Sequence, residues 1–258
     1  MFMDEIPNFT KVVKELELLE CLNDKEAKCA YLKPIDVDVK HLMETCRCFQ
    51  SLYEVICSAR FNLICACKSD YPELLAEDSS LQAHNWIRSQ YVNNAILWYS
   101  SVFEIMIQPL WLYYRVYAVA KPGLTLTTES INEIWEKCRF ESIKKYGVSQ
   151  ISSNLLRKLD EIDTSMQTDI RIWANTLKHR KKIEYKELSR KAHPISVGGD
   201  FSLKEDINGN KTLKINIGDY NSSQTIVYVK MGDVINRLVS FHKEVIDVSN
   251  DINNEIGL

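Results

Sequence analysis

The residues from Asp169 to Lys182 read DIRIWANTLKHRKK, which places an arginine, an asparagine, a histidine and four further cations within fourteen residues. Side chains of these types can hold and cut a phosphodiester. They can also be the basic end of a surface helix, because cations are favoured near a helix C-terminus by the backbone dipole. The spacing of the neighbouring apolar residues bears on the choice.

Between Asn154 and Lys182 the apolar positions are Leu155, Leu159, Ile162, Met166, Ile170, Trp173 and Leu177. Steps of three and four keep them on one stripe and predict a single helix with that stripe as its core face. At about 100° per residue, Arg171, Asn175, Lys178, His179 and Lys182 share an arc of roughly 100° on the opposite side. Groups at i, i+4 and i+8 on one ridge can reach a common ligand. Asparagine is also a poor helix-interior residue unless its side chain is used, since it competes for backbone hydrogen bonds.

Charge is concentrated in the same place. From Arg171 to Ala192 there are eight cations and two acids, a local balance of +6 in a chain of net charge −3, which leaves −9 for the rest. A basic strip on an acidic body directs a polyanion to one place. Arg180 and Lys182 extend the phosphate-facing set beyond Lys178, and His193 in RKAHP follows two more cations.

In ANTLKH, Asn175 and His179 stand at the spacing of the motif of the HEPN family, and the sequence resembles that family. These are helical-bundle proteins, many of them metal-independent ribonucleases of toxin–antitoxin, antiphage and CRISPR systems. Family members usually have Arg just before the polar residue. Here that position is Ala174, and the nearest upstream Arg is Arg171. The resemblance implies His179 as general acid or base, Arg171 or Lys178 as the cation steadying non-bridging oxygens, and Asn175 as the group orienting either. It further implies an RNA or nucleotide ligand, with Lys178, Arg180 and Lys182 on phosphate, no metal and no cofactor. A homodimer bringing two motifs together and a cognate antitoxin or other partner protein also follow from it. The family contains members that bind without cutting, so a non-catalytic module that binds a protein or a nucleotide is the alternative expectation.

The rest of the chain must position that ridge. Low Gly and Pro (8 and 6 of 258 residues) with abundant Leu, Ile, Lys and Glu predict a mainly α fold. Helices are expected over 8–22, 36–68 with Asp36 as N-cap, 81–120 with a kink at Pro109, 130–146 capped by Thr127 or Thr128, 154–182 and 233–254. On the last of these Val234, Leu238, Phe241, Val245 and Val248 share one side. Alternating residues predict a three-stranded antiparallel meander at about 200–205, 211–217 and 224–230, with Asn208-Gly209 as a tight turn. The whole is read as one domain, 1–258: a helical core to about 185, a β-meander insertion over 199–230, and the C-terminal helix.

Other candidate sites are set aside. Cys46/Cys48 and Cys65/Cys67 are i, i+2 pairs that diverge on a helix, so buried free thiols are expected rather than a zinc site. Asp38 and His41 lack a second ligand pair, and no Glu-x-x-His occurs. His84 and His242 are read as lying on polar helix faces. Glu104, inside the apolar run AILWYSSVFEIMIQPLWLYY, is expected to be a core acid paired with Tyr114 or Arg115. That run has the length to span a bilayer, but Glu104, Gln108 and Pro109 interrupt it, so a buried helix is expected. With no secretory leader and eight cysteines, the expected location is the cytoplasm.

Overall fold

A computed structural model describes residues 6–18, 39–74, 80–179, 183–188, 199–205, 211–217 and 227–257. Its helices are α1 (Phe9–Glu15), α2 (Val39–Ala66), α3 (Leu81–Met106), α4 (Gln108–Tyr113), α5 (Val116–Ala120), α6 (Ile131–Glu136), α7 (Phe140–Tyr146), α8 (Ser153–Gln167) and α9 (Ile170–Lys178). Strands β1 (Ile183–Tyr185), β2 (Gly199–Glu205), β3 (Lys211–Ile217) and β4 (Val227–Val229) follow, and α10 (Met231–Ile256) comes last. The fold is mainly α, a multi-helix bundle.

The pair α2 and α3 forms the centre. On α2 the buried residues Phe49, Leu52, Ile56, Ala59, Leu63 and Ala66 recur at steps of three and four. On α3 Val92, Ile96, Tyr99, Phe103 and Met106 do the same, so each helix offers a seam that interlocks with the other. The chain from Leu81 to Tyr113 is long and apolar enough to cross a membrane, yet 67% of its most apolar window is buried inside the bundle. Pro109 falls in the first turn of α4, where its missing N–H costs nothing. The expected kink is therefore a break between two helices. Glu104 is exposed rather than a core acid, because it falls on the outward side of the α3 seam.

α10 closes the bundle, and Val234, Leu238, Phe241, Val245 and Val248 are all buried. It is tied to α8 by Glu255, whose carboxylate accepts from Ser152 N (2.6 Å) and Ser152 Oγ (2.8 Å) at the α8 N-cap. His242 is wholly buried on α10 rather than on a polar face. Its Nε2 donates to the Glu17 carbonyl at 2.6 Å, which leaves Nδ1 to accept from the Tyr99 hydroxyl at 2.9 Å. Arg60 Nε donates to the Leu16 carbonyl at 2.8 Å, so the chain just after α1 is held at two successive carbonyls. Burial pushes the His242 imidazole down to about 4.

Among the described residues the predicted three-stranded meander is not seen. β2 and β3 pair antiparallel, Phe201 opposite Ile215 and Leu203 opposite Leu213, as the alternation requires. The third strand, β4, instead pairs parallel with β1, Ile183 opposite Val227 and Tyr185 opposite Val229. β1 begins just after the expected helix end at Lys182, in a stretch to which the sequence reading assigns no strand. It follows α9 and β4 leads into α10, so the two strands enter beside each other already anchored. Asp36 and the Asn208-Gly209 turn lie outside the described residues. Cys46, Cys48, Cys65 and Cys67 are buried, and burial raises the Cys48 and Cys67 thiols to about 12.

Candidate nucleic-acid interface

The predicted helix over 154–182 is two helices. α8 ends at Gln167, and α9 begins at Ile170 after Asp169, whose backbone (φ −145°, ψ −65°) leaves the helical region. Asp169 accepts from the Ile170 N–H at 2.5 Å and starts the new helix. Its other carboxylate oxygen accepts from Arg237 Nε of α10 at 2.6 Å, and Arg237 also holds Ser165 and, at 3.1 Å, Glu244. The stripe Leu155, Leu159, Ile162, Met166 and Ile170 is buried; Trp173 and Leu177 are half-buried against the same core.

α9 packs on α3. Ala174 is 1% exposed and belongs to the hydrophobic core. The position that holds arginine in the HEPN motif thus points into the bundle here. Asn175, Lys178 and His179 are exposed. His179 terminates α9 as its C-cap, its backbone N–H bonded to the Asn175 carbonyl at 3.1 Å. Ile172, 47% exposed, borders this face. Arg180 and Lys182 lie outside the described residues, as does His193.

Arg171 is placed differently from the other ridge residues. Its Nη2 donates to Asp163 Oδ1 at 2.5 Å, and its guanidinium lies over the Phe103 ring at 5.8 Å. Asp163, nearly buried on α8, accepts from Gln167 Nε2 at 3.0 Å as well. Arg171 lines a cavity of about 520 Å³ whose charged wall is four carboxylates (Glu104, Glu136, Glu141, Asp163) against Arg139 and itself. A phosphate approaching Arg171 would meet more negative than positive charge. The structure therefore brings Asn175, Lys178 and His179 together and commits Arg171 to Asp163.

Asp163 was not found from the sequence. It stands eight residues before Arg171 across a helix break, and no spacing rule links groups over such a break. Among the described residues no group of three or more His, Cys, Asp or Glu side chains could hold a metal ion. Comparison of the chain with family models, with curated proteins and with solved structures finds no match.

Proposed function

We propose that this protein is a HEPN-like RNA-binding protein that works as a homodimer and contacts phosphate through Asn175, Lys178 and His179 at the C-terminal end of α9. The observation that carries this reading is that these three side chains are exposed together at the end of a helix that buries Ile170, Ala174 and Thr176. The carbonyl end of α9 carries partial negative charge, so attraction for phosphate has to come from these side chains and the basic residues after them. Binding is then electrostatic and falls with salt, by roughly one unit of logarithmic slope per phosphate contact.

Cleavage is the second reading, favoured by the exposed His179 one turn from Asn175. In that reaction the 2′-oxygen attacks phosphorus, the bond to the 5′-oxygen breaks, and one imidazole accepts the 2′ proton while another protonates the leaving oxygen. A second copy supplies the second imidazole. Because Arg171 is held by Asp163, charge stabilisation falls to Lys178.

The deciding experiment has two parts. Fluorescence anisotropy of labelled single-stranded RNA is expected to give salt-dependent binding that weakens at least tenfold in Lys178→Glu. Unaltered binding in that variant would discard the interface. Incubation of end-labelled RNA in EDTA beside His179→Ala decides cleavage: a 2′,3′-cyclic phosphate product that vanishes in the variant establishes it. RNA that is bound but intact in both proteins leaves binding alone.

A further inference from the structure

A second cavity, of about 800 Å³, opens where five segments distant in sequence meet: the start of α1, the chain after α2, the first turns of α3, the chain after β1 and the start of α10. Its size is that of a small-molecule site. Four cations (Lys68, Arg88, Lys186, Lys230) and a single carboxylate, Glu187, line it among the described residues.

Arg88 is the unusual member. It is 7% exposed, and its guanidinium meets only neutral acceptors: Nε donates to the Ala66 carbonyl (2.8 Å), Nη1 to Asn85 Oδ1 (2.8 Å) and Nη2 to the Lys68 carbonyl (2.9 Å). A buried cation is ordinarily paired with an anion. The carbonyl end of α2 offers it about half a negative charge, which covers part of that need. Tyr71 is a further hydrogen-bonding neighbour of the same guanidinium, and it too is neutral.

The surrounding charges narrow the ligand. Lys68 is matched by Glu73 at 3.2 Å, and Lys186 has contacts of its own. Glu187 is turned to the first amide of α10, accepting from Met231 N at 2.9 and 3.1 Å. With Lys68 matched, Arg88, Lys186 and exposed Lys230 against Glu187 leave a surplus of two positive charges at one cavity. A phosphomonoester carries about −1.5 to −2 at neutral pH and three acceptor oxygens, which matches them; a monocarboxylate offers half that charge. Phe9 and Leu81, both exposed, supply an apolar part of the cavity wall.

We propose that this cavity binds a small phosphomonoester, with its dianion between Arg88 and Lys230 and its apolar body against Phe9 and Leu81. The site stands apart from the α9 face and does not depend on the RNA reading.

Isothermal titration of the full chain with phenyl phosphate, inorganic phosphate and benzyl alcohol at low salt tests it. Phenyl phosphate is expected to bind saturably, inorganic phosphate more weakly, and benzyl alcohol without detectable heat. Lys230→Glu places an acid at the exposed N-cap of α10, where the helix dipole favours it, and circular dichroism checks that the variant is folded. It is expected to lose at least tenfold in affinity, and His179→Ala none. No saturable heat with phenyl phosphate at millimolar concentration overturns the proposal, as does unchanged affinity in Lys230→Glu. Equal affinity for inorganic phosphate overturns the role given to the apolar wall.

Discussion

Arg237 on α10 donates to Asp169 at 2.6 Å, and this contact spans 68 residues to reach the junction between α8 and α9. It holds the residue that starts α9, so it fixes the direction in which Asn175 and His179 face. The Arg237 and Asp169 side chains are largely shielded from solvent. Arg237→Ala is expected to cost about 2 kcal/mol, the scale of a hydrogen bond to a charged group. Urea denaturation followed by circular dichroism reads the loss; a midpoint unchanged from wild type would show that the contact contributes nothing.

Arg171 and Lys178 belong to one ridge in sequence but to different surroundings in space. Arg171→Ala removes a cation already matched by Asp163, whereas Lys178→Ala removes an exposed one with no described side-chain partner. RNA affinity is expected to change less than threefold in the first and to fall several-fold in the second, with the salt slope reduced by about one unit only in the second. Anisotropy titrations at three salt concentrations compare them. The opposite order would restore Arg171 to the interface.

Installing the arginine of the HEPN motif should not improve this protein. Ala174 is buried in the hydrophobic core, so Ala174→Arg forces a long charged side chain into it. A destabilisation of about 3 kcal/mol or more is expected from overpacking and charge burial together. Thermal melting would show it as a large fall in Tm. A variant that melts like wild type would mean that α9 can turn this position outward.

His242 supplies a pH dependence. Burial lowers its folded value to about 4 from an ordinary 6.5, and Arg60 and Lys243 act in the same direction, against the Glu17 carbonyl. Between these values the unfolded chain binds the proton and the folded chain does not. The contribution is therefore complete above pH 6.5 and is lost as pH falls toward 4, by about 3 kcal/mol at 1.36 kcal/mol per unit. Urea titrations of wild type and His242→Gln at pH 7, 5.5 and 4 isolate this from the other acid-sensitive groups. The gap between the two proteins is expected to narrow by that amount on acidification; a constant gap would refute it.

Much of the architecture was legible in periodicity. The seams of α2 and α10, the core role of the run through α3, and the antiparallel pairing of β2 with β3 follow from spacings of three and four or of two, which a chain reports about itself. The face carrying Asn175, Lys178 and His179 was legible for the same reason, since residues on one helix are ordered by its pitch alone.

Tertiary structure decided what depends on a distant partner. Asp169 can begin a helix or continue one, and Arg237 selects the first. A polar helix position such as His242 reads as solvent-facing until Tyr99 and the Glu17 carbonyl satisfy both ring nitrogens. β4 had two possible neighbours, and the anchoring of α9 and α10 brings it to β1. Arg88 drew no notice in sequence because its cavity is assembled from five segments. The sequence by itself determined which residues share a face; packing determined which of those faces meet a carboxylate, a core or solvent, because burial and charge pairing are properties of neighbours in space.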